Sequence, residues 1–273
     1  MIRILLCIAA LLCAALGLAA PARAQTLAWL GSDVVKVAAN RMDLAPLPAQ
    51  GDQPLLGYLA RPDGPGRHPA VVVLHGCEGF VPFFAVAADV LKSYGYVALA
   101  LGSLGQYNAC LGRSGDGGLA EAFDAYAALD WLARQNFVDP DRVALLGFSM
   151  GGSATLNGVE RGAIENAHPR HFRAAVAYYP GCRYRAGVMT VPTLILIGDK
   201  DDWTFASYCR DMMTRRDGKG APVKLVVYPG ATHAFNRPFF PQHYLGHDFA
   251  YDPQATADAW RQVRNFLQTT LVH

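Results

Sequence analysis

Short apolar runs separated by helix-length stretches dominate the chain from about residue 54 onward. Ala70–Leu74, Tyr96–Leu101, Val143–Phe148, Ala174–Tyr179, Thr193–Ile197 and Val223–Tyr228 are apolar or nearly so throughout. Runs of that length without alternation mark strands buried on both faces. Between them, Phe83–Tyr94 has helical spacing and stops at Gly95. Leu119–Gln135 reads as an amphipathic helix with Ala122, Tyr126, Leu129 and Leu132 along one side, and Gln254–Leu267 as a closing helix. Strands alternating with helices predict an α/β fold, a mainly parallel central sheet with helices on both faces. The earlier part is less regular. Val34–Val37 and Leu55–Leu59 read as edge strands on either side of the proline-bearing Pro46–Pro54. Asp139-Pro140-Asp141 reads as a turn, and glycine-rich Gly102–Gly118 as a long loop with a functional role. No repeat or linker divides residues 25–273, so one domain is expected.

The run Val143–Phe148 leads straight into Gly147-Phe148-Ser149-Met150-Gly151, followed by small residues. Strand, Gly-x-Ser-x-Gly turn and helix start together describe a sharp elbow that lifts a serine hydroxyl above the sheet edge. Side chains at Gly147 and Gly151 would meet the returning chain, and the Met150 N–H is left at a helix N-terminus, where an oxyanion is stabilised. A serine hydroxyl is a weak nucleophile and needs a base, itself oriented by a carboxylate. In an open parallel sheet both belong on loops at the strands' carboxyl ends. Thr193–Ile197 is followed by Gly198-Asp199-Lys200-Asp201-Asp202-Trp203, and Val223–Tyr228 by Pro229-Gly230-Ala231-Thr232-His233. The order Ser149, Asp, His233 is that of a nucleophile-elbow hydrolase. Asp201 is the preferred acid, Asp202 the second choice and Asp199 a turn former. The loop Leu74-His75-Gly76-Cys77 should supply the other oxyanion donor, the Cys77 N–H, with His75 a loop former. Phe80, Phe148, Trp203 and Phe235 lie near these positions and suggest an apolar cleft.

Charge and cysteine content narrow the setting. Arg3 followed by apolar Ile4–Leu18 and Ala22-Arg23-Ala24 reads as a signal peptide over residues 1–24, which implies a secreted or periplasmic protein. Its removal takes away two arginines and no acid, so 22 basic and 22 acidic side chains remain. That balance argues against nucleic acid as a partner, and no later stretch suits a bilayer. Cys77, Cys110, Cys182 and Cys209 remain after the signal, an even number in an oxidising compartment. Cys77–Cys110 and Cys182–Cys209 are the favoured pairs, since each would join loops at one edge of the sheet. No Cys-x-x-Cys or close Cys/His cluster for a metal is present, and nothing sets the number of subunits.

The His75-Gly76 loop, Gly147-Phe148-Ser149-Met150-Gly151, Gly198-Asp199-Lys200-Asp201 and Gly230-Ala231-Thr232-His233-Ala234-Phe235 together resemble the dienelactone hydrolase family of α/β-hydrolases, over roughly Pro54–Leu267. The resemblance implies an α/β-hydrolase fold, cofactor-free hydrolysis of a small-molecule ester or lactone, and Ser149, Asp201 and His233 as the triad. It ranks Asp201 above Asp202 by the spacing from Gly198. It also implies that Arg237 holds a substrate carboxylate, with Arg113 a second candidate. The chain departs from the family twice. Ser149 stands where dienelactone hydrolases proper have cysteine, and Gly76 where they have a glutamate, Glu78 coming two places later. Both departures favour a general serine esterase. A peptidase or polyester hydrolase on the same fold, and a binding module without catalysis, are the alternatives.

Overall fold

A computed structural model describes residues 55–103, 118–238 and 240–272. The expected signal peptide (residues 1–24), the expected strand Val34–Val37, Cys110, Arg113 and most of the Gly102–Gly118 loop lie outside the described residues. In chain order come β1 (Leu55–Ala60), β2 (His68–Leu74), α1 (Pro82–Ser93), β3 (Val97–Ser103), α2 (Leu119–Ala133), β4 (Val138–Phe148), α3 (Met150–Val159) and α4 (Ala163–Asn166). Then follow β5 (Ala174–Tyr178), β6 (Thr193–Gly198), α5 (Ala206–Arg216), β7 (Val223–Tyr228), β8 (His243–Tyr244), β9 (His247–Asp248) and α6 (Pro253–Leu271).

Among the described residues, seven strands form one sheet in the order β1-β3-β2-β4-β5-β6-β7. β1 runs antiparallel to β3 at the edge, and every other pairing is parallel. The apolar runs account for this directly. Val71, Val72 and Val73, and likewise Ala144, Leu145 and Leu146, are all fully buried, although successive strand residues point to opposite faces. Both faces of the sheet are therefore covered, as a parallel sheet requires. Together these strands carry nearly half of the continuous core, and the helices and loops that cover them supply the rest.

Three local expectations change. Asp139-Pro140-Asp141 is no turn between elements but part of β4, where the register with β2 shifts between His68 and Ala70. The turn chemistry is present nonetheless, as the Asp141 N–H donates to Asp139 Oδ1 at 3.1 Å. Helix α2 is not amphipathic: Ala122, Ala125, Tyr126, Ala128, Leu129, Trp131 and Leu132 bury most of its circumference. Its alanines allow this close approach from several sides. Helix α5 went unrecognised, because only Ala206, Cys209, Met212 and Arg216 are buried in an otherwise polar stretch.

The Cys182–Cys209 disulfide forms as expected, with the Cα atoms 4.9 Å apart, although Cys209 lies on helix α5 and not on a loop. Cys77 is also disulfide-bonded, and its expected partner Cys110 is beyond the described residues. Among the described residues no helix is long and apolar enough to cross a membrane.

Candidate active site

Strand β4 leads directly into Ser149, whose backbone sits at φ 54°, ψ −112°, a region that a non-glycine residue adopts only when its surroundings enforce it. The enforcement is visible. The Ser149 N–H donates to the carbonyl of Tyr178 at the end of β5 (3.0 Å), and the Gly151 N–H to that of His75 beyond β2 (3.0 Å). A Cβ on Gly147 would strike the Gly151 carbonyl and come within 2.6 Å of Thr155 Oγ1. A Cβ on Gly151 would lie 2.7 Å from the Leu74 carbonyl oxygen and collide with that of His75. The two glycines are thus demanded by contact, and the elbow is stitched to the strands on either side.

The ends of β6 and β7 bring two further groups to the serine. His233 Nε2 lies 2.9 Å from Ser149 Oγ, and His233 Nδ1 lies 2.8 Å from Asp201 Oδ2. An ionised carboxylate only accepts, so Nδ1 carries the imidazole proton and Nε2 is left to accept from the serine hydroxyl. Asp201 is buried and fully engaged. Its Oδ1 accepts the N–H groups of Trp203 (3.0 Å) and Thr204 (2.8 Å), and its Oδ2 also accepts from Thr204 Oγ1 (2.8 Å). Burial pushes the Asp201 carboxyl up, but the adjacent His233 and the Thr204 donors outweigh it and hold the group below the usual carboxylate range. The His233 ring is flanked by Tyr179 at 4.7 Å and Trp203 at 5.4 Å between centroids.

The neighbouring aspartates do other things. Asp199 Oδ1 accepts the Gly230 N–H (2.7 Å), tying the acid loop to the histidine loop. Asp202 faces away from His233, toward the β8–β9 hairpin, where its Oδ1 lies 3.2 Å from His247 Nδ1. His247 in turn stacks on Trp203 at 4.5 Å.

A cleft opens at Ser149, with Gly76 and Cys77 on one side and Phe148, Tyr179 and Trp203 among its apolar walls. Met150 is the first residue of α3, so its N–H stands at the helix N-terminus beside the nucleophile. His75 is buried, with Nδ1 2.7 Å from the Gly76 carbonyl and 3.2 Å from Glu121, and burial lowers its pKa. It braces the loop and does not enter the cleft. Phe80 and Phe235 do not line the cleft either. Phe80 packs on Phe84 at 6.1 Å, and Phe235 is fully buried among Tyr178, Tyr179 and Tyr228. The sequence reading missed Phe240 and Tyr244, which approach from the segment around β8 and complete the wall. Arg237 reaches the cleft, where its guanidinium is ion-paired with Glu78. Among the described residues no group of three or more His, Cys, Asp or Glu side chains is placed to hold a metal.

A protein of Bradyrhizobium sp. named "Probable 2-oxo-3-(5-oxofuran-2-ylidene)propanoate lactonase" is 27% identical over 237 residues, 78% of this chain and 88% of that one. The dienelactone hydrolase-like promiscuous phosphotriesterase P91, from metagenomic libraries, superposes with a TM-score of 0.67 at 26% identity, covering 81% of this chain and 95% of the other. Esterase 2 of Thermogutta terrifontis, in a structure phosphorylated by paraoxon, shares the fold with a TM-score of 0.60 at 18% identity, covering 79% and 89%. The model of the dienelactone hydrolase family matches residues 55–271. With this match along most of its length and a seven-stranded, mainly parallel sheet of α/β-hydrolase type, the chain belongs to the dienelactone hydrolase family.

Proposed function

We propose that the chain is a serine hydrolase that cleaves carboxylic esters or lactones through an acyl-enzyme. The observation that carries this reading is the hydrogen-bonded line from Ser149 Oγ through His233 to Asp201 at the floor of an apolar cleft. His233 Nε2 takes the hydroxyl proton as Ser149 Oγ attacks the substrate carbonyl carbon. Asp201, kept ionised by its donors, stabilises the imidazolium that results. The oxygen of the tetrahedral intermediate faces the backbone N–H groups of Cys77 and Met150, and each such donor contributes about 3 kcal/mol. As the intermediate collapses, His233 returns its proton to the leaving alkoxide, and water then attacks the acyl-enzyme by the same route. In a lactone the alcohol stays tethered to the acyl group, with the same proton transfers.

The relative from Bradyrhizobium is named a lactonase, which agrees with a cyclic ester bond as a target. A binding module without catalysis has no need to keep a serine in a strained backbone geometry with a base 2.9 Å away. Residues 1–24 are proposed as an export signal, placing the enzyme outside the cytoplasm. Ser149→Ala tests the mechanism: turnover of p-nitrophenyl acetate should fall on the order of 10⁴-fold or more. Turnover undiminished in that variant contradicts it.

A further inference from the structure

Arg237 and Glu78 meet at the cleft as an ion pair, Nη1 to Oε1, with side chains only 11% and 16% exposed. The guanidinium carbon of Arg237 also lies over three rings, 4.3 Å from the centre of Phe240, 5.0 Å from Phe83 and 5.6 Å from Phe84. Among the described residues its charge is answered by one carboxylate and by apolar faces. Glu78 has a fitted seat. Its carboxylate is folded back over Gly76, so that a Cβ there would collide with Oε2 and stand 3.0 Å from Cδ. The missing side chain at position 76 is what opens that place.

The consequence concerns what can enter. A second carboxylate near Arg237 must either share the site with Glu78, in surroundings where like charges repel strongly, or displace Glu78 from its seat. A neutral acyl group meets a compensated ion pair and the apolar walls of Phe148, Tyr179, Trp203 and Tyr244, with no such cost. We propose that the Glu78–Arg237 pair makes this enzyme selective for neutral esters and lactones and sets it against substrates whose acyl portion carries a carboxylate. The proposal rests on the reading of Ser149 as nucleophile. It reverses the role that the family resemblance implies for Arg237, from holding a substrate carboxylate to being already occupied.

The test compares kcat/KM for dimethyl adipate and monomethyl adipate, which differ by one negative charge at similar size. In the wild-type enzyme the diester should be favoured by about tenfold or more, after allowance for its two ester groups. Glu78→Gln keeps the shape and frees the Arg237 charge, so the ratio should fall by about tenfold or more, mainly through a lower KM for the monoester that rises again with salt. A wild-type enzyme that hydrolyses the monoester as well as the diester overturns the proposal, and so does an unchanged ratio in Glu78→Gln. Inhibition of the wild-type enzyme by adipate against neutral adipamide repeats the comparison without a variant, and tighter binding of adipate overturns it too. Absence of turnover of both esters, together with failure of a fluorophosphonate to label the protein, would instead refute the nucleophile reading and the proposal with it.

Discussion

Asp201 is a carboxylate held in the interior by four donors, two from backbone and two from side chains. Because its folded pKa is depressed, its contribution to stability is fully present above the unfolded value of about 3.9 and is lost as the pH falls through the lower folded value. The charge also sets the imidazole tautomer. Asp201→Asn keeps the size but offers an amide that can donate to Nδ1 and reverse the tautomer, so kcat should drop about 10³- to 10⁴-fold with KM little changed. Steady-state kinetics with p-nitrophenyl acetate read this directly, and a drop below tenfold would show that the residue merely packs. Asp201 and its neighbour also mark how far a sequence can be read at this scale. Ser149 is legible because its glycines are within two residues and the steric reason is local. Asp201 and Asp202 are adjacent and chemically identical, and only the direction of each side chain separates His233 from His247 as partner. Thr204 was passed over for the same reason, since its partner lies in the folded loop and not in the pattern, whereas Glu78 was set aside for standing two places from the family's glutamate, and only the fold shows its pairing with Arg237.

At the scale of elements, the strands could be read because burial on both faces leaves an unbroken apolar run. Helix α5 and the β8–β9 hairpin could not. The helix buries one narrow stripe, and the hairpin strands have two residues each, too short for any period. Long-range ties hold α5 in place instead. The Cys182–Cys209 disulfide joins it to the loop after β5, and Arg215 donates from the helix to the carbonyls of Arg185 (2.9 Å) and Cys182 (3.3 Å). With the cysteines separated by 27 positions in sequence, closing that loop is worth about 3–4 kcal/mol in the chain-entropy account. The double variant Cys182→Ala/Cys209→Ala should therefore lower the stability measured by urea titration by roughly that amount. An unchanged midpoint and slope would mean that the hydrogen bonds and packing alone hold the helix.

For the whole molecule, the parallel sheet explains why three loops distant in sequence converge. β4, β6 and β7 run in the same direction, so the residues that follow them, Ser149, Asp201 and His233, emerge at the same edge. The fold was legible from alternation of strand and helix alone, whereas the aromatic walls from Phe240 and Tyr244 depend on how the final loops lie across that edge. Disulfides at Cys77 and at Cys182–Cys209 agree with an oxidising destination. Exported protein should accordingly begin at Gln25 on N-terminal sequencing, and a product retaining Met1 would contradict the proposed signal.

The proposed catalysis requires Ser149 to be a nucleophile activated by His233. Paraoxon reacts with such a serine, displacing p-nitrophenol and leaving a diethyl phosphoryl group on the oxygen. Mass spectrometry of the intact protein followed by peptide mapping should find one such adduct per chain, on Ser149, formed far more slowly in His233→Ala. An unmodified protein, or an adduct on any other residue, would contradict the account.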